Sequence, residues 1–230
     1  MKEIVPGIWR WTAPHPEWRT AHEWGHEVAC FALELPAELV LVDPLVPADS
    51  SHAASVWSTL DRLAEGKGSV HVMVTIPYHA RSSEAIRGRY RGQAEVGIWG
   101  HPAVARRLGA RVPLNEIEPG KPLPVGAQAI AIGNPRRQEM PLYFPSHRAL
   151  AFGDSIVGVD GTLRVWELLG DERRRRWYRS RFLPSLEPLL QFDVAHALVT
   201  HGPAVVDRGN EELARALVTE PWNSRQASAA

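Results

Sequence analysis

The stretch Val72-Met73-Val74-Thr75-Ile76-Pro77-Tyr78-His79-Ala80-Arg81 governs the reading of this chain. Its first half continues an apolar, β-branched run from Val70 to Thr75 that reads as a strand. Pro77 interrupts that pattern, and the loop that follows carries His79 and Arg81. Beyond the loop, Arg81 to Arg89 reads as a helix and Val96 to Gly100 as another strand. Before it, Leu39 to Val42 is a strand and Ser51 to Gly66 a helix. Such mixing suits an α/β layer architecture.

Further strands are expected at Ile8 to Trp11, Val28 to Leu35, Ala127 to Ile132, Pro141 to Phe144, Ala149 to Phe152 and Ala197 to Thr200. Helices are expected at Pro102 to Leu108, Arg173 to Leu190 and Asn210 to Leu217. With 230 residues, 44% of them hydrophobic, the chain can bury one core. A single domain over residues 1–222 is therefore expected, followed by a small polar tail, 223–230, that frays. Lys plus Arg and Asp plus Glu number 26 each, so no global field favours nucleic acid or an anionic membrane. Met1 to Pro6 lacks the basic segment and apolar run of a secretory leader, and no stretch of about 18 apolar residues occurs, so a soluble cytoplasmic chain is expected. Cys30 is the one cysteine; it excludes a disulfide framework or a Cys-rich zinc site and reads as a buried, inert thiol.

Five segments recur in a telling order: Val5-Pro6-Gly7-Ile8-Trp9, Leu39-Val40-Leu41-Val42-Asp43-Pro44, Val72-Met73-Val74-Thr75, Leu150-Ala151-Phe152-Gly153-Asp154 and Val199-Thr200-His201-Gly202. Each is common alone, but their order and spacing over nearly the whole chain resemble the metallo-β-lactamase superfamily. The resemblance implies an α/β fold of that type, a four-layer αβ/βα sandwich. It also implies a chemistry in which one or two metals, usually zinc, are held by His and Asp at the ends of the inner strands, where they activate water against a carbonyl or phosphoryl centre. By the same resemblance, Asp43 supports the metal loop, Asp154 is the bridging carboxylate and His201 belongs to the last strand.

The chain departs from that pattern at the metal loop. An ungapped match to T-H-x-H-x-D-H sets Ile76, Tyr78, Ala80 and Arg81 where His, His, Asp and His stand in the family. The family's middle histidine falls near Gly133-Asn134-Pro135, and Asn is a poor zinc ligand. Asp154 and His201 remain, with His79 one position off the pattern unless the loop around Pro77 shifts by a residue. One reading of this trio is a single metal, zinc, iron or manganese, held by His79, Asp154 and His201. The preferred reading is a cluster without any cofactor, in which Arg81 forms a bidentate salt bridge with Asp154 in place of the metal.

His22-Glu23-Trp24-Gly25-His26 fits the H-E-x-x-H pattern of a zinc protease helix. Gly25, the upstream Pro14 and Pro16 and the strand resuming at Val28 argue against a helix there. Under the resemblance this segment overhangs the active-site face, so Trp11, Trp18, His22, Trp24 and His26, with Tyr78, are candidates to line a pocket. Arg173-Arg174-Arg175-Arg176 could contact phosphate, but such runs usually solvate a helix face, and nucleic acid is not the expected partner. Asp171 and Glu172 suit the N-terminus of that helix.

The leading expectation is thus a metallo-β-lactamase-fold protein without a full dinuclear zinc site, with little or no classical hydrolase activity, that binds a small-molecule ligand. The alternative is a mononuclear metal-dependent hydrolase of an ester, thioester, lactone or phosphoester. A third reading, a partner-binding module, rests on the Trp-rich N-terminus and the basic helix. Substrate and oligomeric state lie in loops and surfaces that the sequence pattern leaves unread.

Overall fold

The computed structural model describes residues 1–19, 25–132 and 138–223. Seven strands form a first sheet in chain order: β1 (Lys2–Val5), β2 (Ile8–Pro14), β3 (Glu27–Glu34), β4 (Glu38–Val42), β5 (Ser69–Val74), β6 (Glu95–Gly100) and β7 (Asn115–Glu116). Pairing is antiparallel as far as β4 and parallel from there on, because helix α1 (Ser50–Ala64) carries the chain from β4 to β5 and α2 (Ser83–Tyr90) from β5 to β6. Then come β8 (Gln128–Ala129), β9 (Leu142–Phe144), β10 (Ala149–Phe152), a hairpin of β11 (Ile156–Val159) and β12 (Thr162–Val165), and β13 (His196–Val199). A second sheet has the order β13-β10-β9-β8, with β10 and β13 parallel.

Side-chain alternation on the strands builds the layers. On β4, Leu39 and Leu41 join an apolar cluster with Val56, Leu60 and Leu63 of α1 and Ile86 of α2, whereas Val40 and Val42 face the other way. There they meet Leu142, Ala149, Ala151 and Leu198 of the second sheet. On β10 the intervening Leu150 and Phe152 turn outward to a third cluster, with Phe182, Leu186, Leu213, Ala216 and Leu217. Both faces of both sheets are thereby covered, which is why these strands read as continuous apolar runs. The result is helix, sheet, sheet, helix, the αβ/βα sandwich expected from the sequence.

Several expected elements differ in extent. Ala127 to Ile132 contributes only the two residues of β8. The expected helix from Arg173 to Leu190 is broken into α3 (Glu172–Trp177), a π-turn (Tyr178–Phe182), α4 (Leu183–Leu186) and a 3-10 turn (Glu187–Gln191). Pro184 and Pro188 cause this, since neither offers the backbone N–H that an uninterrupted helix needs. As expected, Asp171 caps α3, accepting from Arg174 N at 2.7 Å. Arg174 also grips the buried Glu167 through two donors. The last helix is α5 (Gly209–Val218). No described helix is long and apolar enough to cross a membrane.

Candidate metal centre

Strand ends from both sheets converge on one edge of the sandwich. In the second sheet Phe152 of β10 pairs with Val199 of β13, so two residues further along each parallel strand Asp154 and His201 emerge side by side. His201 Nε2 lies 3.4 Å from Asp154 Oδ1. Gly153 lets the two sheets approach here, because a Cβ at that position would meet Thr75 Oγ1 at 2.9 Å. In the first sheet β5 ends at Val74, and a 3-10 turn (Pro77–Ala80) begins with proline at its first position, where no N–H is required. That turn carries His79 into the pattern, with Nε2 at 3.5 Å from the same Asp154 oxygen.

His79, Asp154 and His201 each offer one ligand atom, and these atoms all lie within 4.8 Å of one another. Among the described residues this is the one group of three or more such side chains placed to share a metal ion. His79 and Asp154 are buried and His201 nearly so.

The ring of His79 is held from behind. Asp43, buried at the end of β4 in a left-handed backbone conformation (φ 49°), accepts from Thr75 N at 2.8 Å and from Thr75 Oγ1 at 2.5 Å. The same carboxylate lies 2.9 Å from His79 Nδ1. Nδ1–H therefore donates to Asp43, and Nε2 is the nitrogen that faces Asp154. Asp43 thus supports the loop, the role its place in the pattern implies.

Charge follows this geometry. Burial pushes the Asp154 carboxyl up, but His201 and His79 outweigh it and hold Asp154 well below the usual carboxylate range. Burial lowers His201, whereas at His79 burial and the Arg81 charge are outweighed by Asp43 and Asp154, so that group is raised.

Arg81 does not form the salt bridge with Asp154 that the sequence suggested. Its Nη1 donates to the main-chain oxygen of Asp43 at 3.1 Å, and among the described residues the ion pairs of Asp154 are with the two histidines. The reason is local. Arg81 has φ 35° at the C-cap of the Pro77–Ala80 turn, and its guanidinium lies beside Asp43 and the buried Cys30. Cys30 is buried, as expected; it accepts from Leu45 N at 3.2 Å, and burial pushes its thiol up to about 11.

The aromatic candidates separate. Trp11 is buried in the layer between the first sheet and its helices and donates from Nε1 to Leu45 O at 2.9 Å, so it is a core residue and not pocket lining. Tyr78 is 55% exposed, with the Arg107 guanidinium over its ring. Trp18 packs against His26, ring centroids 5.2 Å apart. His26 sits in a bend just before β3, not on a helix, and its main-chain oxygen accepts from His15 N. His22, Glu23 and Trp24 lie outside the described residues, as do Gly133, Asn134 and Pro135 and the tail from 224 onward.

Two site residues escaped the sequence reading. His15, directly after β2, lies close enough to feel the charges of Arg81, His79 and His201. Pro14-His15-Pro16 was the available signal, since two prolines around a histidine fix its backbone. Glu139 is buried behind the Gly153-Asp154-Ser155 turn and accepts from Gly153 N, Ser155 N and Ser155 Oγ at 2.7 to 3.0 Å. Burial, followed by the Asp154 charge, pushes it up to about 7. No motif marks that contact.

No protein-family model matches the chain, and no curated protein matches it by sequence. Solved structures do. TMB-1 aligns with a TM-score of 0.64 at 12% identity, over 99% of this chain and 97% of its own. A metallo-β-lactamase from Erythrobacter litoralis gives 0.61 at 15% identity over 94% and 93%. A metallo-β-lactamase family protein from Thermus thermophilus gives 0.56 at 14% over 99% and 81%. Sheet order, layer order and these superpositions together establish that the chain has the metallo-β-lactamase fold.

Proposed function

We propose that the protein is a metal-dependent hydrolase with a mononuclear site formed by His79, Asp154 and His201. The observation that carries this reading is a pair of distances. Each histidine Nε2 stands 3.4 or 3.5 Å from Asp154 Oδ1. That is longer than a good charge-assisted hydrogen bond, about 2.7–2.9 Å. It matches the ligand-to-ligand edge, about 3.3–3.6 Å, of a tetrahedron whose ligands stand 2.0–2.2 Å from a zinc ion. Two imidazoles and one carboxylate also suit iron or manganese. Three protein ligands is the count of catalytic zinc sites, whereas structural sites use four.

A metal held there supplies Lewis acidity and makes water a nucleophile near neutral pH. The chain's own residues do the rest. Asp43 fixes the tautomer and orientation of His79, Asp154 stays anionic at neutral pH, and Glu139 anchors the turn that presents Asp154. Ile76 and Ala80 are apolar and buried, and Tyr78 is turned to solvent, which favours one metal over two. The substrate bond proposed is an ester, thioester, lactone or phosphoester.

The test is a panel of chromogenic esters, lactones and phosphoesters, assayed on wild type and Asp154→Ala. Hydrolysis that disappears with a chelator, returns with zinc, iron or manganese and is abolished in Asp154→Ala supports the reading. A rate indifferent to both the chelator and the substitution overturns it.

A further inference from the structure

The candidate ligands come from two different sheets. Asp154 and His201 follow strands that pair residue by residue, β10 and β13, so the second sheet itself fixes one against the other. His79 follows β5 of the first sheet, and its spacing from Asp154 depends on how the two sheets are held at that edge. Gly153 marks the point of contact, since a Cβ there would meet Thr75 Oγ1 at 2.9 Å, Ile76 Cγ2 at 3.0 Å and Glu139 Cδ at 3.3 Å.

Hydrogen bonds cross that contact without a gap. Asp43 lies 2.9 Å from His79 Nδ1 and accepts from Thr75 N at 2.8 Å and from Thr75 Oγ1. The main-chain oxygen of Thr75 accepts in turn from Met140 N at 2.8 Å. Glu139, one residue earlier, reaches the other sheet: its Oε1 accepts from Gly153 N at 3.0 Å and Ser155 Oγ at 2.7 Å, and its Oε2 from Ser155 N at 2.8 Å. Asp154 stands between those two main-chain donors. Asp43, Thr75, Glu139, Asp154 and Ser155 are all buried, so water does not compete for these bonds. Three converging donors occupy both oxygens of Glu139, which only a carboxylate supplies; a glutamine would set its own N–H groups against one of them. Burying a carboxylate among neutral donors costs stability, so a fold that needed only filled space here would gain nothing from it.

We infer that Glu139 is a positioning residue for the metal: through Met140 and Thr75 it joins the Asp154 turn to the Asp43–His79 pair as one buried brace, which sets the spacing between ligands of the two sheets. Glu139 touches neither metal nor substrate and acts through the turn that it holds. This inference rests on the hydrolase reading for what the ligands bind, whereas the brace is measurable in metal-free protein.

The experiment uses the full chain as wild type, Glu139→Gln, Ser155→Ala, Asp43→Asn and the double variant of Glu139→Gln with Asp43→Asn, with circular dichroism on each. Cobalt(II) is titrated into chelator-stripped protein against a competing dye, and its visible d–d spectrum is recorded. Glu139→Gln is expected to weaken cobalt binding about tenfold or more and to change the d–d bands. Ser155→Ala, which removes the hydroxyl donor and leaves both main-chain ones, is expected to weaken it severalfold. The double variant is expected to bind no worse than the weaker of its two single variants, because one brace is broken only once. If Glu139→Gln does not fold, Ser155→Ala, alone and combined with Asp43→Asn, decides. Affinity and spectrum equal to wild type in the folded variants, or losses that multiply in the double variant, overturn the inference. Amide hydrogen exchange on the metal-free proteins keeps the two ideas apart, with Asp43→Asn expected to speed exchange at Gly153 and Ser155 on the far sheet. A wild type that binds no cobalt loses the hydrolase reading, and exchange at those two amides then decides the brace. A chain that binds cobalt identically in wild type and Glu139→Gln loses this inference alone.

Discussion

The Nδ1 of His79 lies 2.9 Å from the Asp43 carboxylate, and this contact decides which ring nitrogen faces Asp154. Asn tolerates the left-handed backbone that Asp43 adopts, so Asp43→Asn keeps the turn while exchanging a charged acceptor for an amide. Losing such a supporting carboxylate weakens metal affinity by about 10- to 100-fold. Zinc titration against a competing chelator is expected to show that loss with the circular dichroism spectrum unchanged. Equal affinity in the two proteins would show that Asp43 only shapes the loop.

The His-Gly pair at the end of β13 needs its glycine. Gly202 has φ 85°, and a Cβ there would lie 1.9 Å from the carbonyl oxygen of Gly158, whose N–H in turn donates to His201 O at 2.8 Å. Gly202→Ala is expected to destabilise the fold by more than about 2 kcal/mol, because backbone and not a flexible side chain must move. Gly170→Ala, on an exposed glycine with nothing within 4 Å, is the control and is expected to change stability by less than about 0.5 kcal/mol. Urea unfolding of both variants checks this; equal midpoints contradict it.

Asp61 on α1 takes two donors from Arg89 on α2 and a third from Tyr90 Oη. Arg89 holds the Asp61 carboxyl below its ordinary value against partial burial. A carboxyl depressed in the fold stabilises above its unfolded pKa and loses that contribution as pH falls through the folded one. With the pair about two-fifths exposed, Asp61→Asn is expected to cost only about 0.5–1 kcal/mol at pH 7. The gap between wild type and variant should close between about pH 5 and pH 2. A gap independent of pH in thermal melts would contradict the assignment.

The layers were legible in sequence because both faces of β4, β5, β10 and β13 are buried, which leaves unmistakable apolar runs, each ending in a chemically distinctive residue such as Asp43, Asp154 or His201. The register of His79 was not legible. It depends on a 3-10 turn started by Pro77, and one residue of slip in a loop leaves no periodic trace. The Arg81 to Asp154 bridge was expected from charge alone, but the φ of Arg81 and the nearby main-chain oxygen of Asp43 send the guanidinium elsewhere. Glu139 reaches the site by tertiary contact, which local sequence does not encode. Trp11 was misjudged because a strand's parity decides which face a side chain takes, and the reading of the N-terminal hairpin never fixed that parity.

The measurement that bears most directly on the central claim is elemental analysis of protein purified without chelator, for wild type and for His79→Ala, Asp154→Ala and His201→Ala. About one zinc, iron or manganese ion per chain in wild type, lost in each variant, is the expected result for a three-ligand site. A wild type without metal, or variants that all keep it in full, would contradict the assignment of His79, Asp154 and His201.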